Sequence, residues 1–463
     1  MMINIIPGEI TGLTVSEIDA LTELVRIYEA HNSKNKEKDL YYEGKISLAS
    51  VNIGIALPNG FAGLKIGCAW GAKAVDVLAA RSMFDGFVGV NGEDIADLDN
   101  LVKDNKLLAE YPKACRDELK YGYTFATLSA DKDIGCKIRF HSPQTAAAKW
   151  DGEKGRIAYG MAIIDTAPTN EAALIWSPSI INVYFDYAII VLTRRGSTWA
   201  AARYPHKMGR PLMEPLIWNA TSGKPFGRSR IKEPVRRLID GYVRTIANAT
   251  IGLEFATAPQ KYLLGVTDDQ YDALINSKFQ QYVGNILAAT VNPETGEKPS
   301  FGQLPQGNIT PHTEMLRNLA TQFSAATGLT VTDTGVVNDA NPTSSDAILA
   351  QSQTLVAMAE QLNLGNGDAL RTIALMAMAI MNNTTLDELS DEQKDVIAHF
   401  KNPAMPSVAV TADAAIKIAS ARQGFADTNT FLEMIGFDQA DIRRINAQEQ
   451  RARGRKTLEE LGI

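Results

Sequence analysis

Cysteine is scarce in this chain. Among 463 residues only Cys68, Cys115 and Cys136 are cysteines, an odd number, far apart and without metal-ligand spacing. That pattern excludes a disulfide framework and suits free, buried thiols in a reducing compartment. Histidine is sparse too: His31, His141, His206, His312 and His399 are scattered and form no His-Glu-x-x-His pair, so no metal site is expected. No Gly-rich phosphate loop ends in Gly-Lys-Ser/Thr; the segment 223–229 has the right residue types in the wrong order. A Gly-x-Ser-x-Gly nucleophile elbow is also missing. Long apolar runs are lacking. Ile373–Met381 is too short to span a bilayer, and Met1–Ile10 has no charged start followed by an apolar stretch. The expectation is a soluble protein inside the cell that makes it, with no membrane partner, no cofactor and no catalytic residues. Neither an internal repeat nor a low-complexity tract is present.

What the chain does contain is a globular composition, 45% apolar and 21% charged. Its length exceeds one comfortable hydrophobic core, so two or more substructures are expected. A formal charge of −7 argues against a surface that grips nucleic acid all over. Acidic pairs such as Asp131 with Asp133 and Glu388 with Asp391 read as turns or solvated faces. Asp186 is less ordinary, because it falls inside an apolar strand pattern.

Thr14 and Glu17 form a capping-box pattern, and Ile18, Leu21, Val25 and Tyr28 share the helical face that follows. A polar run, His31–Asp39, comes next, then a second helix over Ala72–Phe84. From Lys120 to Ala200 short apolar runs alternate with turns, giving strands at Tyr123–Leu128, Ile138–His141, Arg156–Ile164, Ala173–Trp176, Val183–Tyr187 and Ile189–Thr193. Asp151–Gly155 and Arg195-Gly196 read as hairpin turns. After a Pro-rich bend, Pro205–Pro215, helical spacing returns over Ile231–Ile251, with its start fixed near Pro234. His312–Thr327 is a helix closed by Gly328. A polar loop, Val331–Pro342, precedes a helix capped by Thr343 and running to about Asn363. The remainder is mostly helical, with breaks at Asn402–Pro406 and Gly424. The fold class is α+β.

Several local motifs, taken in order, resemble those of siphophage portal proteins. They are Tyr41-Tyr42-Glu43-Gly44 after the first helix, Leu119-Lys120-Tyr121-Gly122-Tyr123 where helix passes to strand, and the bend Gly209–Pro215, in which Glu214 is an unusual insertion. The best match is Gly227-Arg228-Ser229, followed by a long helix and then Ala258–Gly265. Pro342–Ile348 looks like the start of the family's long helix after the tunnel loop. The resemblance covers roughly Gly12 to Ala452.

That resemblance implies a portal fold: a mixed α/β wing over 1–228, a stem helix over 229–254 and a small α/β clip over 255–310. A second stem helix (311–328), a tunnel loop with its long helix (329–364) and a helical crown (365–463) complete it. It also implies a homo-oligomeric ring, usually of twelve subunits, at one capsid vertex, through which double-stranded DNA passes. Implied partners are the terminase large subunit, a head-completion or adaptor protein, and the major capsid and scaffolding proteins. The family hydrolyses nothing. The implied DNA-facing residues are Thr334, Val336, Val337, Asn338, Asp339 and Asn341; Arg230, Arg236, Arg237 and Arg244 are possible charge contacts of the stem. Charge agrees with a conduit, since Gly328–Leu362 contains no Lys or Arg, and fixed cations would bind phosphates and stall a duplex. The alternatives are another oligomeric virion component or an enzyme without recognisable motifs.

Overall fold

The computed structural model describes residues 5–47, 66–89, 96–170, 175–196, 198–257, 261–265, 300–303, 308–336, 345–404, 408–422, 424–437 and 439–460, with single positions at 291, 296 and 298. Helix α1 (Val15–Tyr42) begins on the expected capping box: Thr14 Oγ1 accepts the Glu17 N–H at 3.4 Å, and the Thr14 N–H donates to Glu17 Oε2 at 2.7 Å. The polar run His31–Asp39 does not end this helix. Bonds to neighbouring elements hold it: the Lys38 ammonium donates to the Tyr121 carbonyl at 2.9 Å, and the Tyr121 hydroxyl donates to Asp39 at 2.5 Å.

Helix α2 (Trp70–Ala79) stops short of Phe84, which instead opens strand β1 (Phe84–Gly89). Helices α3 (Ala96–Asp104) and α4 (Leu107–Tyr121) lead into β2 (Tyr123–Asp131) and β3 (Gly135–His141). Gly122 turns helix into strand at φ +109, where a Cβ would come within 3.0 Å of the Arg228 backbone. A five-stranded meander follows: β4 (Ala146–Asp151), β5 (Arg156–Asn170), β6 (Ile175–Tyr184), β7 (Ala188–Arg195) and β8 (Thr198–Pro205), each antiparallel to the next. Strand β9 (Met213–Ile217) returns to pair with β2.

Beyond the sheets lie α5 (Glu233–Thr257), the ribbon β10 (Lys261–Leu264) with β11 (Ser300–Gln303), α6 (Thr310–Thr327) and α7 (Ser345–Met381). Then come α8 (Asp391–Lys394), β12 (Val396–Phe400), α9 (Val408–Ala421), α10 (Asn429–Ile435) and α11 (Gln439–Glu460). Most of the segment expected as a clip lies outside the described residues, as does Thr343, the expected cap of α7.

Two expectations are corrected. Asp186 is not within a strand; it is exposed in the two-residue turn between β6 and β7, closed by the Phe185 N–H donating to the Ala188 carbonyl at 2.9 Å. Helix α7 does not stop near Asn363 but continues to Met381. Gly365 and Gly367 each cost about 1 kcal/mol in a helix interior. Burial of Leu370, Ile373, Ala374 and Ala377 in the core offsets them.

The meander separates two cores by the period-2 alternation of its strands. Met161, Ile163, Ile181, Val183, Ile190 and Leu192 pack under Leu21, Leu24 and Tyr28 of α1. Ala162, Tyr184 and Ile189 face the larger core, which joins α2, α4, α5, α6 and α7. Strand β12 pairs with β1, ending the chain's return to that core.

Inside the larger core sits a polar chain. The Asn366 amide donates to Glu118 Oε2 at 2.8 Å and to the Tyr111 hydroxyl at 2.9 Å, and Tyr111 bonds Ser82 Oγ at 2.7 Å. Glu118 Oε1 has no hydrogen-bond partner, and burial raises this carboxyl from its ordinary value to about 8. The folded state therefore holds a proton that the unfolded state releases near 4.5. Stability is full below that value and declines as pH rises toward 8. Glu118→Gln is expected to flatten this decline in thermal melts between pH 5 and 9 (roughly that window). A residual slope from half-buried Glu214, raised to about 7, is expected to remain.

Candidate functional site

The sequence motifs that lie far apart in the chain meet at the root of α5. Tyr41 donates its hydroxyl to Asp240 of α5 at 2.9 Å, and Tyr42 donates to Asp76 of α2 at 2.9 Å. Ser229 Oγ donates to the Lys120 carbonyl at 2.5 Å and accepts the Ile231 N–H at 2.9 Å, while the Arg230 N–H donates to the Leu119 carbonyl at 2.9 Å. Gly227-Arg228-Ser229 thus ties the start of α5 to the last carbonyls of α4, which a helix end leaves unpaired.

Helix α5 then packs on α6. Val235, Ile239, Val243 and Ala247 recur every four residues and are buried, against Leu319, Ala320 and Phe323 of α6. Trp70 stands at the top of this pair. Its ring centroid lies 4.6 Å from Tyr242 and 4.8 Å from Phe323, and its Nε1–H donates to the Thr334 carbonyl at 3.1 Å. One indole therefore links α2, both helices of the pair and the segment that follows α6.

That segment is fixed at its base. Gly328 closes α6 at φ +71, where a Cβ would lie 2.8 Å from Met358 Sδ of α7. Asp333 Oδ2 accepts from the Thr330 N–H at 2.9 Å and from its hydroxyl at 2.8 Å. Thr334 is buried, with its hydroxyl on the Val331 carbonyl at 2.6 Å, and Val336 is half-buried against the core. Of the six residues expected to face DNA, these two are anchors of the loop's base. Val337, Asn338, Asp339 and Asn341 lie outside the described residues. The absence of Lys and Arg extends further than the loop, from Asn318 to Leu370.

The four arginines separate. Arg230 is turned inward: its guanidinium donates to the Ala74 carbonyl and, at 2.6 Å, to the Thr327 carbonyl, with the Trp218 ring 5.8 Å away. It is 6% exposed, so it cannot serve as a surface contact of the stem. Burial lowers its pKa to about 10, which leaves it charged at neutral pH. Arg236 pairs with Glu37 at 3.2 Å over the Tyr41 ring, and Arg237 pairs with Glu233 at 3.2 Å on the same helix. Arg244 is partly exposed and makes no ion pair among the described residues.

Sequence reasoning missed Trp70, whose role depends on contacts across 264 positions of chain. It also missed the reason for Glu214: the half-buried carboxyl group in β9 pairs with Arg210. Cys68, Cys115 and Cys136 are free and buried as expected, and burial pushes all three thiols up. Among the described residues no group of three or more His, Cys, Asp or Glu is placed to hold a metal.

Two packed helices, α5 and α6, on an α+β body are thus joined through Gly328 to a segment anchored on Trp70 and Asp333. A family model described as "Phage portal protein, SPP1 Gp6-like" matches residues 17–455. The chain belongs to this phage portal protein family. It is similar to the portal protein of Mycobacterium phage D29, 24% identical over 448 residues, covering 93% of this chain and 88% of the relative. The portal protein of Mycobacterium phage L5 is 24% identical over 419 residues, covering 87% and 82%. A chain in the neck of an empty gene transfer agent particle superposes with a TM-score of 0.46 at 13% identity, over 82% of this chain and 95% of that one. A chain of the native gene transfer agent virion gives 0.45 at 12%, over 76% and 86%.

The indole's two duties can be separated by mutation. Trp70→Phe keeps an aromatic ring but removes the bond to Thr334, and it is expected to cost about 1–2 kcal/mol. Trp70→Ala also opens a cavity and should cost about 3–5 kcal/mol. Denaturant midpoints measure the totals. Limited proteolysis near Gly335 should accelerate in both variants; an unchanged cleavage rate in Trp70→Phe would remove the indole from control of the loop.

Proposed function

We propose that this chain is the subunit of a homo-oligomeric portal ring, of twelve copies, at one vertex of the phage head. Double-stranded DNA passes through the ring during packaging and ejection. The ring docks the terminase large subunit while the head fills and a head-completion or adaptor protein afterwards, with the major capsid and scaffolding proteins around it. The subunit itself carries out no chemistry; it holds a channel open. It is a virion component, assembled in the cytoplasm of a bacterial host. Membership of the portal family is the observation that carries this reading.

The charge distribution supports it. A conduit has to meet a polyanion without holding it, and each fixed cation that neutralises a phosphate strengthens binding through counterion release. The stretch from Asn318 to Leu370 offers none. Two of the four stem arginines spend their charge on Glu37 and Glu233, and a third is buried. The loop's base is pinned by Trp70, Asp333 and Gly328, which would place each copy of the loop at one height around a common axis.

The test is to add cations where none exist. In V337R/N338R every subunit presents two new charges to the same duplex. Each phosphate engaged steepens the log–log salt dependence of binding by about one unit. Rings should still form, as seen by negative-stain microscopy, while packaging slows or stops at low salt. The defect should ease as salt rises, because screening shortens the reach of these charges to about 8 Å near physiological ionic strength. Wild-type packaging by the variant at low salt would take this loop out of the DNA path.

A further inference from the structure

Helix α11 (Gln439–Glu460) is anchored at its start and bare beyond it. Ile442 is buried, Arg443 pairs with Asp99 of α3, and the Asn446 amide donates to Asn429 of α10 at 2.9 Å. From Ala447 to Arg455 every residue is exposed, and no described part of the chain covers this stretch. A helix that is polar on every side gains little from burial, so its surface is free to serve something else.

Charge on that surface is sorted by face. At about 100° per residue, Arg444, Arg451 and Arg455 fall within about 40° of one another, with Gln448 beside them. Buried Ile442 lies about 160° around the helix from Arg444, so the arginine row points away from the body. All three arginines are exposed and make no ion pair among the described residues. The single carboxylate between Arg444 and Arg455, Glu449, is on the opposite side, where it pairs with Arg453 at 3.6 Å. The row is about 16 Å long at 1.5 Å per residue. Over that length each strand of a duplex offers about five phosphates.

We propose that the row Arg444, Arg451 and Arg455 contacts the phosphate backbone of double-stranded DNA. The planar guanidinium fork matches phosphate oxygens two at a time. A protein partner would need aromatic or aliphatic anchors at the centre of the contact, and the row has none. No aromatic residue follows Phe437, so the bases of a single strand would find nothing to stack on. The contact rests on the portal reading only in that DNA passes the subunit. It also complements that reading: cations are withheld from Asn318–Leu370, where a duplex has to slide, and are left unpaired on α11, where it can be held.

The experiment uses the full-length protein as assembled, titrated with a fluorescent duplex of random sequence as NaCl rises from about 50 to about 200 mM. Three phosphates engaged give a log–log slope of about −2.7, a fall in affinity of about 40-fold over that range. R444Q/R451Q/R455Q is expected to lose this part of the wild-type slope, and R444K/R451K/R455K to keep it. Gln and Lys are both good helix formers, so α11 stays intact in either variant. Arg453→Gln, on the paired side, should leave the slope unchanged. Equal slopes in the wild type and the glutamine variant overturn the proposal. So does capture of fluorescent polyglutamate through the same three arginines with the DNA slope unmoved, which would mark an acidic protein as the partner. Negative-stain images of the same samples keep the two readings apart. Missing wild-type rings count against the portal reading, whereas rings with equal slopes count against the arginine row alone.

Discussion

The structure turns on one buried cation. Arg230 sits where α2, the two paired helices and the segment after them converge, and its guanidinium donates to the backbone carbonyls of Ala74 and Thr327. A charge taken out of water is tolerable only when polar partners compensate its lost hydration. Thr327 supplies the kind of partner that suits it, a carbonyl at the negative end of α6. The need to keep these acceptors in place fixes α2 and the end of α6 relative to the start of α5. Trp70 and Ser229 then work within a frame already set.

This explains why motifs separated by scores of residues act as one unit. Tyr41 reaches Asp240, Ser229 reaches Lys120, and Gly122 allows the backbone at Arg228 to come close. Each motif alone is a small set of common residues. Together they are the two sides of one joint, and the order in which they occur follows from the order in which the chain visits it.

Much of this was legible in the sequence. The capping box of α1, the hairpins of the meander, the stop at Gly328 and the apolar row of α5 all depend on neighbours within a few residues, where periodicity and cap chemistry speak directly. What was not legible depends on distant partners. Arg230 looks from its neighbours Arg228, Lys232 and Arg236 like one more charge on a solvated face; only the fold places it under Trp218 and against Ala74. The helix α7 was expected to end near Asn363, but core burial along Leu370–Ala377 carries it through Gly365 and Gly367. Asp186 seemed to interrupt a strand because the flanking Phe185 and Tyr187 are apolar. They stack on each other at 5.6 Å across the turn instead of continuing the sheet.

The unbroken run of α7 has a mechanical consequence. At about 1.5 Å per residue, its 37 residues form a rod of about 55 Å. Its first half passes the loop base at Gly328 through Thr354 and Met358, and its second half is held by Arg371 on the carbonyls of Val396 and Lys394. A rod of this kind resists compression far better than a chain of loops. A displacement at the loop's base is thus passed along the helix into the larger core, where Leu370, Ile373, Ala374 and Ala377 are buried, instead of being absorbed in a turn.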